Sequence, residues 1–256
     1  MKPRIVFLCS ECFSTTVLFN FINKQFTVEG VVIEEALRGW PLAKRRFKKL
    51  GIFKTFGQIL FSVMIVPILK ATSKKRVFQI KKDYQLDETP IPFSQIRRIK
   101  SVNDQICISI LKEINPDIVV VNGTRIISEK VLNAVNVIFI NIHAGITPKY
   151  RGVHGAYWAV VKNDIAHAGV TVHLVDKGID TGGILFQELI SITEKDNYVT
   201  YPFFHIGLGL QLMLKSIIDI KSGSSKVVDP LTNESALWYH PTIWQYLYYR
   251  IFKGKK

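Results

Sequence analysis

Three polar side chains in the middle of the sequence have types and spacing that suit acyl transfer: Asn141, His143 and Asp180. Asn141 and His143 close an apolar run that predicts a strand, and residues i and i+2 of a strand point to the same side. Asp180 lies in a glycine-rich loop, residues 176–183, after a second predicted strand that ends at Val175. We therefore expect all three near the carboxyl edge of one sheet, where open α/β sheets bind ligands.

These residue types exclude some chemistries and favour another. No activated Ser or Cys stands beside His143, which disfavours a covalent triad. Four histidines are scattered, so we expect no metal site; they are His143, His154, His167 and His173. Of these, we expect His173 to pack within the sheet and His154 and His167 to lie on loops. An amide and a protonated imidazole can stabilise an oxyanion, and a carboxylate can hold the imidazolium. The pattern predicts non-covalent acyl transfer.

Strand and helix patterns alternate along most of the chain, and this alternation predicts the sheet that would position Asn141, His143 and Asp180. The predicted strands are 4–8, 28–33, 118–121, 137–140, 169–174 and 184–192. The predicted helices are 14–22, 104–114, 128–135, 155–162 and 201–220. Apolar runs without polar alternation are typical of parallel strands buried on both faces. The fold class is therefore α/β, with a doubly wound, Rossmann-like, mostly parallel sheet.

The net charge of +14 is concentrated in two segments. Residues 38–82 contain thirteen Lys and Arg without an acidic residue, and residues 246–256 add four more, while the remainder is near neutral. Apolar residues at helical spacing between Leu50 and Val63 make the first segment a basic amphipathic helical insert. This distribution favours local contact with an anionic partner, such as an anionic membrane surface, over nucleic-acid binding.

Membrane-spanning and secreted classes are not expected. The most apolar stretch, residues 59–69, is eleven residues long and interrupted by Pro67, whereas a spanning helix needs about 20. The first residues do not form a signal peptide, and three cysteines are too few for a disulfide framework. The expected location is the cytoplasm, peripheral on the inner face of the membrane.

The expected organisation is a catalytic domain, residues 1–222, interrupted by the insertion 38–82 and followed by a tail, residues 223–256. The tail is short, aromatic and basic. Its aromatic residues are consistent with docking on the domain or with a membrane interface, and both alternatives stay open. A homodimer is also compatible with the sequence.

Residues 100–190 resemble the 10-formyltetrahydrofolate-dependent formyltransferases. Four motifs of that family occur here in the family's order: Asn141-Ile142-His143, a loop from Pro148 to Gly152, Gly169-Val170-Thr171-Val172-His173 and Ile179-Asp180-Thr181-Gly182. Upstream, Arg125-Ile126-Ile127-Ser128 resembles the family's folate-contacting turn.

The resemblance implies a role for each matched residue. Asn141 and His143 would stabilise the tetrahedral intermediate formed when an amine attacks the formyl carbon, and Asp180 would orient His143. The folate donor would contact two short segments, which consist of Arg125, Ile126 and Ile127, and of Lys177, Gly178 and Ile179. The implied donor is 10-formyltetrahydrofolate, without a metal.

The amine acceptor is inferred from departures within the family. The loop after the first strand, residues 9–16, lacks the glycines with which enzymes acting on glycinamide ribonucleotide cradle phosphate. About 36 residues follow Ile220, fewer than an RNA-binding domain needs. We expect the acceptor to be a nucleotide-linked amino sugar that is used in the synthesis of a surface polysaccharide. The alternatives are phosphoribosylglycinamide, methionyl-tRNA, and a non-catalytic, membrane-associated protein that binds folate or a nucleotide sugar.

Overall fold

The computed structural model describes residues 2–36 and 39–255. Arg38 and Lys256, which belong to the two basic segments of the sequence, lie outside these residues. The strands are β1 Ile5–Ser10, β2 Val28–Glu34, β3 Ile96–Ile99, β4 Ile118–Asn122, β5 Ile138–His143, β6 Arg151–Gly152, β7 Gly169–Leu174, β8 Ile184–Leu189 and β9 Leu237–Trp238. The helices are α1 Phe13–Asn23, α2 Gly39–Leu50, α3 Ile52–Leu60, α4 Val66–Thr72, α5 Lys74–Asp83, α6 Gln105–Ile114, α7 Glu129–Leu132, α8 Gly155–Val161, α9 Tyr201–Ser222 and α10 Ile243–Phe252.

The main sheet of the described residues has the order β3-β2-β1-β4-β5-β7-β8. Its first five strands are parallel, and β7 and β8 join as antiparallel strands at one side. The chain first winds outward from β1 to β3 and then returns to β4 on the other side of β1. The predicted doubly wound, mostly parallel α/β fold is confirmed.

Alternate residues of the central strands enter two different cores. In β1, Ile5 and Phe7 pack under α1 and α9, whereas Val6 and Leu8 pack under α6 on the opposite face. Burial on both faces explains why these strands are continuous apolar runs in the sequence. Helices cover both faces of the central strands, so a ligand can approach these strands at their ends.

Three differences from the predicted elements concern short or charged segments. Strand β3 was not predicted, because Arg97 and Arg98 are exposed on this edge strand and pair with Glu113 and Glu11. The helix predicted at 128–135 is the single turn α7, and the strand predicted at 184–192 ends at Leu189.

The basic insert is a chain of helices, α2 to α5, that packs against α8, α9 and α10 around the buried side chains of Phe61 and Ile80. Helices α3 and α4 are continuous through a π-helical turn, Phe61–Ile65. Directly after that turn the Val66 amide bonds to the Phe61 carbonyl, five residues earlier, and the helix continues through Pro67.

Within the described ranges, two helices are long and apolar enough to cross a bilayer by length and composition: Ile52–Thr72, of 21 residues, and Tyr201–Ser222, of 22 residues. The prediction that the apolar helix is limited to residues 59–69, and is therefore too short to span a bilayer, is wrong. Pro67 does not end the helix, and the helical run extends on both sides of the apolar stretch. The second helix is α9, a core helix of the main sheet.

The aromatic tail packs on the rest of the molecule. Strand β9 pairs with β6, and the Trp238 ring stacks on Tyr150 and Trp158. Helix α10 starts at a capping box, in which Thr242 and Gln245 bond each other's backbone amides. Part of the tail therefore docks, while the outer side of α10 stays exposed.

Candidate active site

Asn141 and His143 lie at the carboxyl end of β5, where the parallel part of the sheet meets β7. The antiparallel register places Asn141 opposite His173 and His143 opposite Thr171. Both predicted residues line one cavity of about 430 Å³ at this edge. The alternation of side chains along β5 therefore brings the amide and the imidazole to the same place.

Asp180 reaches this pair from the loop after β7. Its Oδ2 lies 3.3 Å from Nδ1 of His143 and accepts a hydrogen bond of 2.9 Å from the Gly152 amide. Both side chains are nearly buried, with 5% of His143 and 16% of Asp180 exposed. The structure thus brings Asn141, His143 and Asp180 together.

The hydrogen bonds of His143 define its charge. Its Nδ1 faces the Asp180 carboxylate, and its Nε2 lies 2.7 Å from the Tyr150 carbonyl. Both partners can only accept, so the ring donates through both nitrogens and is an imidazolium. Burial alone would lower the pKa of His143, but the charge and hydrogen bond of Asp180 outweigh burial and raise this pKa.

Asp180 is correspondingly held as a carboxylate. Burial opposes its ionisation, yet the adjacent His143 and the Gly152 amide hold its pKa well below the usual range. The site therefore contains a buried ion pair, in which each member needs the other to keep its charge.

The loop that carries Asp180 is fixed at both ends. The Asp176 carboxylate accepts hydrogen bonds from the Gly178 amide and the Thr181 hydroxyl, which closes the loop on itself. Arg151 donates to the Ile179 carbonyl at 3.2 Å. Asp180 itself adopts a left-handed backbone, φ +52°, which Asp tolerates better than most residues. These contacts aim the Asp180 carboxylate at His143.

The segment after β4 forms the opposite wall of the cavity, and it includes Arg125, Ile126 and Ile127. The Arg125 guanidinium does not face the open space. It forms an ion pair with Glu34 and donates to the carbonyls of Glu35 and Lys100. Arg125 therefore anchors this wall to β2 and leaves Ile126 and Ile127 to provide apolar surface.

The loop residues predicted to contact the donor divide into two groups. Gly178 and Ile179 line the cavity together with Asp176. The Lys177 side chain is 74% exposed and its ammonium pairs with Glu129 at 3.1 Å, so it points away from the cavity.

The cavity residues that the sequence did not assign to the site include two polar side chains at strand ends, His173 and Asn122. His173 lines the cavity from β7, and its Nδ1 donates to the Leu174 carbonyl at 2.7 Å. Its Nε2 is then free to accept from the Asn141 amide at 3.2 Å, which orients that amide. Asn122 lines the cavity from the end of β4. Position at a strand end, the signal that identified Asn141, could have identified both.

The loop between β1 and α1 lies beside Asn122, whose amide donates to the hydroxyls of Ser14 and Thr15 at 2.9 Å. Burial alone would raise the pKa of the Cys12 thiol at the start of α1, but hydrogen bonds with Ser14 and Thr15 lower it. Cys9, inside β1, is buried, and burial raises its pKa to about 12. The C-x-x-C pair is therefore two free thiols in different environments.

His154 and His167, and Tyr150 in the loop from Pro148 to Gly152, have partners within the protein. The Tyr150 hydroxyl bonds to Asp164, and His167 also pairs with Asp164. His154 is half-buried and bonds to Tyr198 and His240. Among the described residues, no group of three or more His, Cys, Asp or Glu is arranged to hold a metal ion.

The arrangement can stabilise negative charge that develops at the cavity wall. The imidazolium of His143 supplies a buried positive charge, and the Asn141 amide supplies an oriented donor. Among the described residues that line the cavity, no Ser or Cys side chain lies next to His143 as a nucleophile. The geometry therefore suits direct attack of a substrate nucleophile on a carbonyl carbon.

Comparison with known proteins supports this chemistry. A family model described as "Formyl transferase" matches residues 63–202, more than half of the chain. A methionyl-tRNA formyltransferase from Azobacteroides pseudotrichonymphae is 36% identical over 227 residues, which cover 89% of this chain and 59% of the relative. The chain spans about half the length of the curated relatives it matches.

Solved structures share the fold at low sequence identity. A sugar N-formyltransferase from Shewanella is 16% identical, with a TM-score of 0.56 over 91% of this chain and 75% of that chain. A phosphoribosylglycinamide formyltransferase from Streptococcus pneumoniae is 19% identical, with a TM-score of 0.53 over 87% of this chain and 99% of that chain.

Proposed function

The chain belongs to the formyl transferase family, and we propose that it transfers a formyl group from 10-formyltetrahydrofolate to a primary amine. The observation that carries this proposal is the convergence of Asn141 and the His143–Asp180 ion pair on one cavity. The donor supplies an activated formyl group; the chain supplies the charge and the orientation.

The cavity fits a flat, polar heterocycle such as the pterin of the donor. Ile126, Ile127 and Val175 provide apolar surface, and Asp176, Gly178, Ile179 and Asp180 of the loop line the cavity beside it. The Gly178 amide and the Ile179 carbonyl are bonded within the protein, so the backbone contacts proposed for the donor are the Gly178 carbonyl and the Ile179 amide. Hydrogen-bonding edges between apolar walls are what a pterin ring requires. Gly178 and Ile179 are the proposed backbone contacts, and Arg125 holds the opposite wall in place.

The proposed roles follow from the charges of the site. Attack of the amine forms a nitrogen–carbon bond at the formyl carbon and moves negative charge to the formyl oxygen. The Asn141 amide and the imidazolium of His143 stabilise that oxygen. Asp180 keeps His143 protonated. Collapse of the adduct breaks the bond to the folate nitrogen, which takes up a proton as the amine loses one.

We propose a nucleotide-linked amino sugar as the acceptor. The turn into α1 contains no glycine between Cys9 and Thr16, and the side chains of Cys12, Ser14 and Thr15 occupy it and bond one another. This disfavours the backbone phosphate site expected for glycinamide ribonucleotide.

Methionyl-tRNA remains a second candidate, because the relative with 36% identity carries that activity in its name. The apolar exposed side of the insert argues against RNA as its partner, since RNA-binding surfaces combine basic residues with polar or stacking side chains.

The proposed setting is the cytoplasm, because Cys9, Cys12 and Cys107 are all free thiols. We propose that residues 1–222 carry the catalytic domain, with 38–82 as an insertion and 223–256 as a tail that packs on it. A homodimer is not required by this chemistry, since the three proposed catalytic residues belong to one chain.

The deciding experiment measures tetrahydrofolate release from 10-formyltetrahydrofolate with separate acceptors: amino-sugar nucleotides, glycinamide ribonucleotide, methionyl-tRNA and a blank without amine. Release that requires an amino sugar supports the proposal. Release with methionyl-tRNA or glycinamide ribonucleotide alone reassigns the acceptor. A His143→Asn variant should lose turnover and keep folate binding. Folate binding by the wild type without turnover on any acceptor would favour a non-catalytic binding protein.

A further inference from the structure

The helical segment Ile52–Thr72 has an apolar outer face that is not covered by other described residues. Its inner side is buried through Thr55, Gln58 and Phe61. The opposite side exposes large apolar side chains, with 77% of Ile52 and 67% of Val63 accessible. The other exposed large apolar residues of this segment are Phe53, Phe56, Ile59, Met64 and Ile68. An apolar surface of this extent on a helix marks an interaction site.

Helix α10 extends this surface beside α3. The Trp244 ring stacks on Phe53 with 4.2 Å between ring centroids, and a side chain at Gly57 would collide with Trp244. The outer stripe of α10 exposes Leu247, Tyr248, Ile251 and Phe252. We call the exposed apolar side chains of Ile52–Thr72 and of α10 the apolar face.

The insert that carries most of the apolar face is rich in cations without acidic partners. Among the described residues of the insert, Arg76 and Lys81 form ion pairs, and the other ten Lys and Arg form none. These ten are Lys44, Arg45, Arg46, Lys48, Lys49, Lys54, Lys70, Lys74, Lys75 and Lys82. The exposed face therefore combines apolar side chains with uncompensated positive charge, as interfacial amphipathic helices do.

We propose that the apolar face docks this protein on the surface of an anionic phospholipid bilayer. The apolar side chains would enter the interface between headgroups and acyl chains, while the cations contact lipid phosphates. The proposal goes beyond the proposed function and does not depend on the chemistry at His143.

Charge complementarity favours a bilayer over a second copy of the chain. Two copies joined through this face would bring two sets of unpaired cations together, which opposes association. Peripheral docking is favoured over spanning because the inner side of the helix is anchored: Gln58 donates to the His240 carbonyl at 2.7 Å, and Phe61 is fully buried.

The test is co-sedimentation of the full-length protein with phosphatidylcholine vesicles and with vesicles that contain about one third phosphatidylglycerol. We expect binding to the anionic vesicles that weakens as NaCl rises from about 0.05 to 0.5 M. The triple variant Lys70→Gln, Lys74→Gln, Lys75→Gln should lower the partition coefficient by about 100-fold, since each lysine near an anionic surface contributes about fivefold. The variant Val63→Gln, Met64→Gln, Ile68→Gln should lower it by at least about tenfold.

Matched controls change residues of the same type outside this surface. Lys112→Gln, Lys130→Gln, Lys226→Gln removes three exposed lysines, and Phe93→Gln, Ile106→Gln, Ile165→Gln removes three exposed apolar side chains. Both controls should bind anionic vesicles as the wild type does. Circular dichroism and turnover of each variant separate a docking defect from misfolding and from loss of catalysis.

Four results would overturn the proposal. The first two are failure of the wild type to bind anionic vesicles and equal binding of the wild type to neutral vesicles. The third is retention of the wild type by vesicles in both high salt and alkaline carbonate, and the fourth is an equal loss of vesicle binding in the control variants. Retention of that kind would indicate a spanning helix. A stable dimer in sedimentation velocity that the Val63→Gln, Met64→Gln, Ile68→Gln variant dissociates, without vesicle binding, would assign the surface to a second copy.

Discussion

Asp180 brings its carboxylate to within 3.3 Å of Nδ1 of His143 from a loop on the far side of β7. The imidazole is held on its other side by the Tyr150 carbonyl, so the ring lies between two acceptors. This geometry makes His143 a fixed buried cation at the cavity wall and not a base that must shed a proton. Its contribution to catalysis is therefore electrostatic, and its pH dependence follows from the ion pair.

The first prediction concerns the pH profile of turnover. Because Asp180 raises the pKa of His143, activity should persist above the usual histidine range and fall only as pH rises through the raised pKa. In Asp180→Asn, burial without the carboxylate lowers the pKa of His143. The alkaline limb of kcat should then move to lower pH, with a loss of at least about 100-fold at pH 8. Initial rates across the pH range test this, and an unmoved limb with reduced kcat would show that Asp180 acts otherwise.

The second prediction concerns stability. The lowered pKa of Asp180 stabilises the fold above its unfolded value of about 4, and this stabilisation is lost as pH falls. The raised pKa of His143 stabilises the fold below its unfolded value of about 6.5, and this is lost as pH rises. The difference in unfolding free energy between wild type and Asp180→Asn should peak between about pH 4 and 6.5. Urea unfolding across the pH range measures it, and a constant difference would contradict the ion pair.

The sequence predicted those parts of the site that follow from local periodicity. Asn141 and His143 are two residues apart on a strand, and the alternation of side chains placed both in the cavity. The glycine-rich loop placed Asp180 at the same edge. The doubly wound order followed from apolar runs buried on both faces, because such runs leave little freedom in how strands and helices stack.

What the sequence did not show depends on contacts between distant segments. His173 was expected to pack in the sheet, and it does lie in the sheet, but the antiparallel pairing of β5 and β7 also places it against Asn141. The direction of a neighbouring strand is not encoded in local spacing. Lys177 is adjacent to a residue that lines the cavity, yet its ion pair with Glu129 turns it outward. Pro67 suggested a helix end, but the helix continues through Pro67 after a π-helical turn.

The third prediction tests how tightly the His143 side chain is enclosed. A Cβ on Gly145 would lie 2.9 Å from Nε2 of His143 and would also clash with the Tyr150 carbonyl. Gly145→Ala must therefore displace the imidazole, and we expect kcat to fall at least about tenfold and the unfolding free energy to fall by about 1–3 kcal/mol. Gly30→Ala is the matched control, because its Cβ would meet only the Ile114 side chain at 3.4 Å. Equal effects in both variants would contradict this account.

The fourth prediction concerns thiol reactivity. Burial would raise the pKa of the Cys12 thiol, but hydrogen bonds with Ser14 and Thr15 lower it, and Cys12 is exposed. Burial raises the pKa of Cys9 and of Cys107 to about 12. Iodoacetamide should therefore modify Cys12 in the native protein and the other two only after unfolding. Mass spectrometry of peptides after brief labelling gives the site. Comparable native labelling of Cys9 would contradict the burial of β1.

The fifth prediction concerns the attachment of the insert. Arg76 of α5 binds Asp196 through two hydrogen bonds of 2.8 and 3.0 Å, and the Asp196 side chain is fully buried. Arg76→Ala leaves that carboxylate with only the Thr193 amide and hydroxyl, so we expect a loss of about 3 kcal/mol in unfolding free energy at neutral pH. Burial opposes ionisation of Asp196, but Arg76 lowers its pKa below the unfolded value. The stabilisation is therefore lost as pH falls below about 4, and the variant should then approach the wild type.

The matched control is Arg97→Ala, which removes an equally short bidentate pair with Glu113 from the exposed edge strand β3. Solvent screens that pair, so its removal should leave the denaturation midpoint unchanged. Because α5 packs on α9, loosening at Arg76 should also increase amide exchange in α5 before it reaches β1 and β4, which are buried on both faces. Uniform loss of protection would instead show that the insert and the main sheet unfold as one unit.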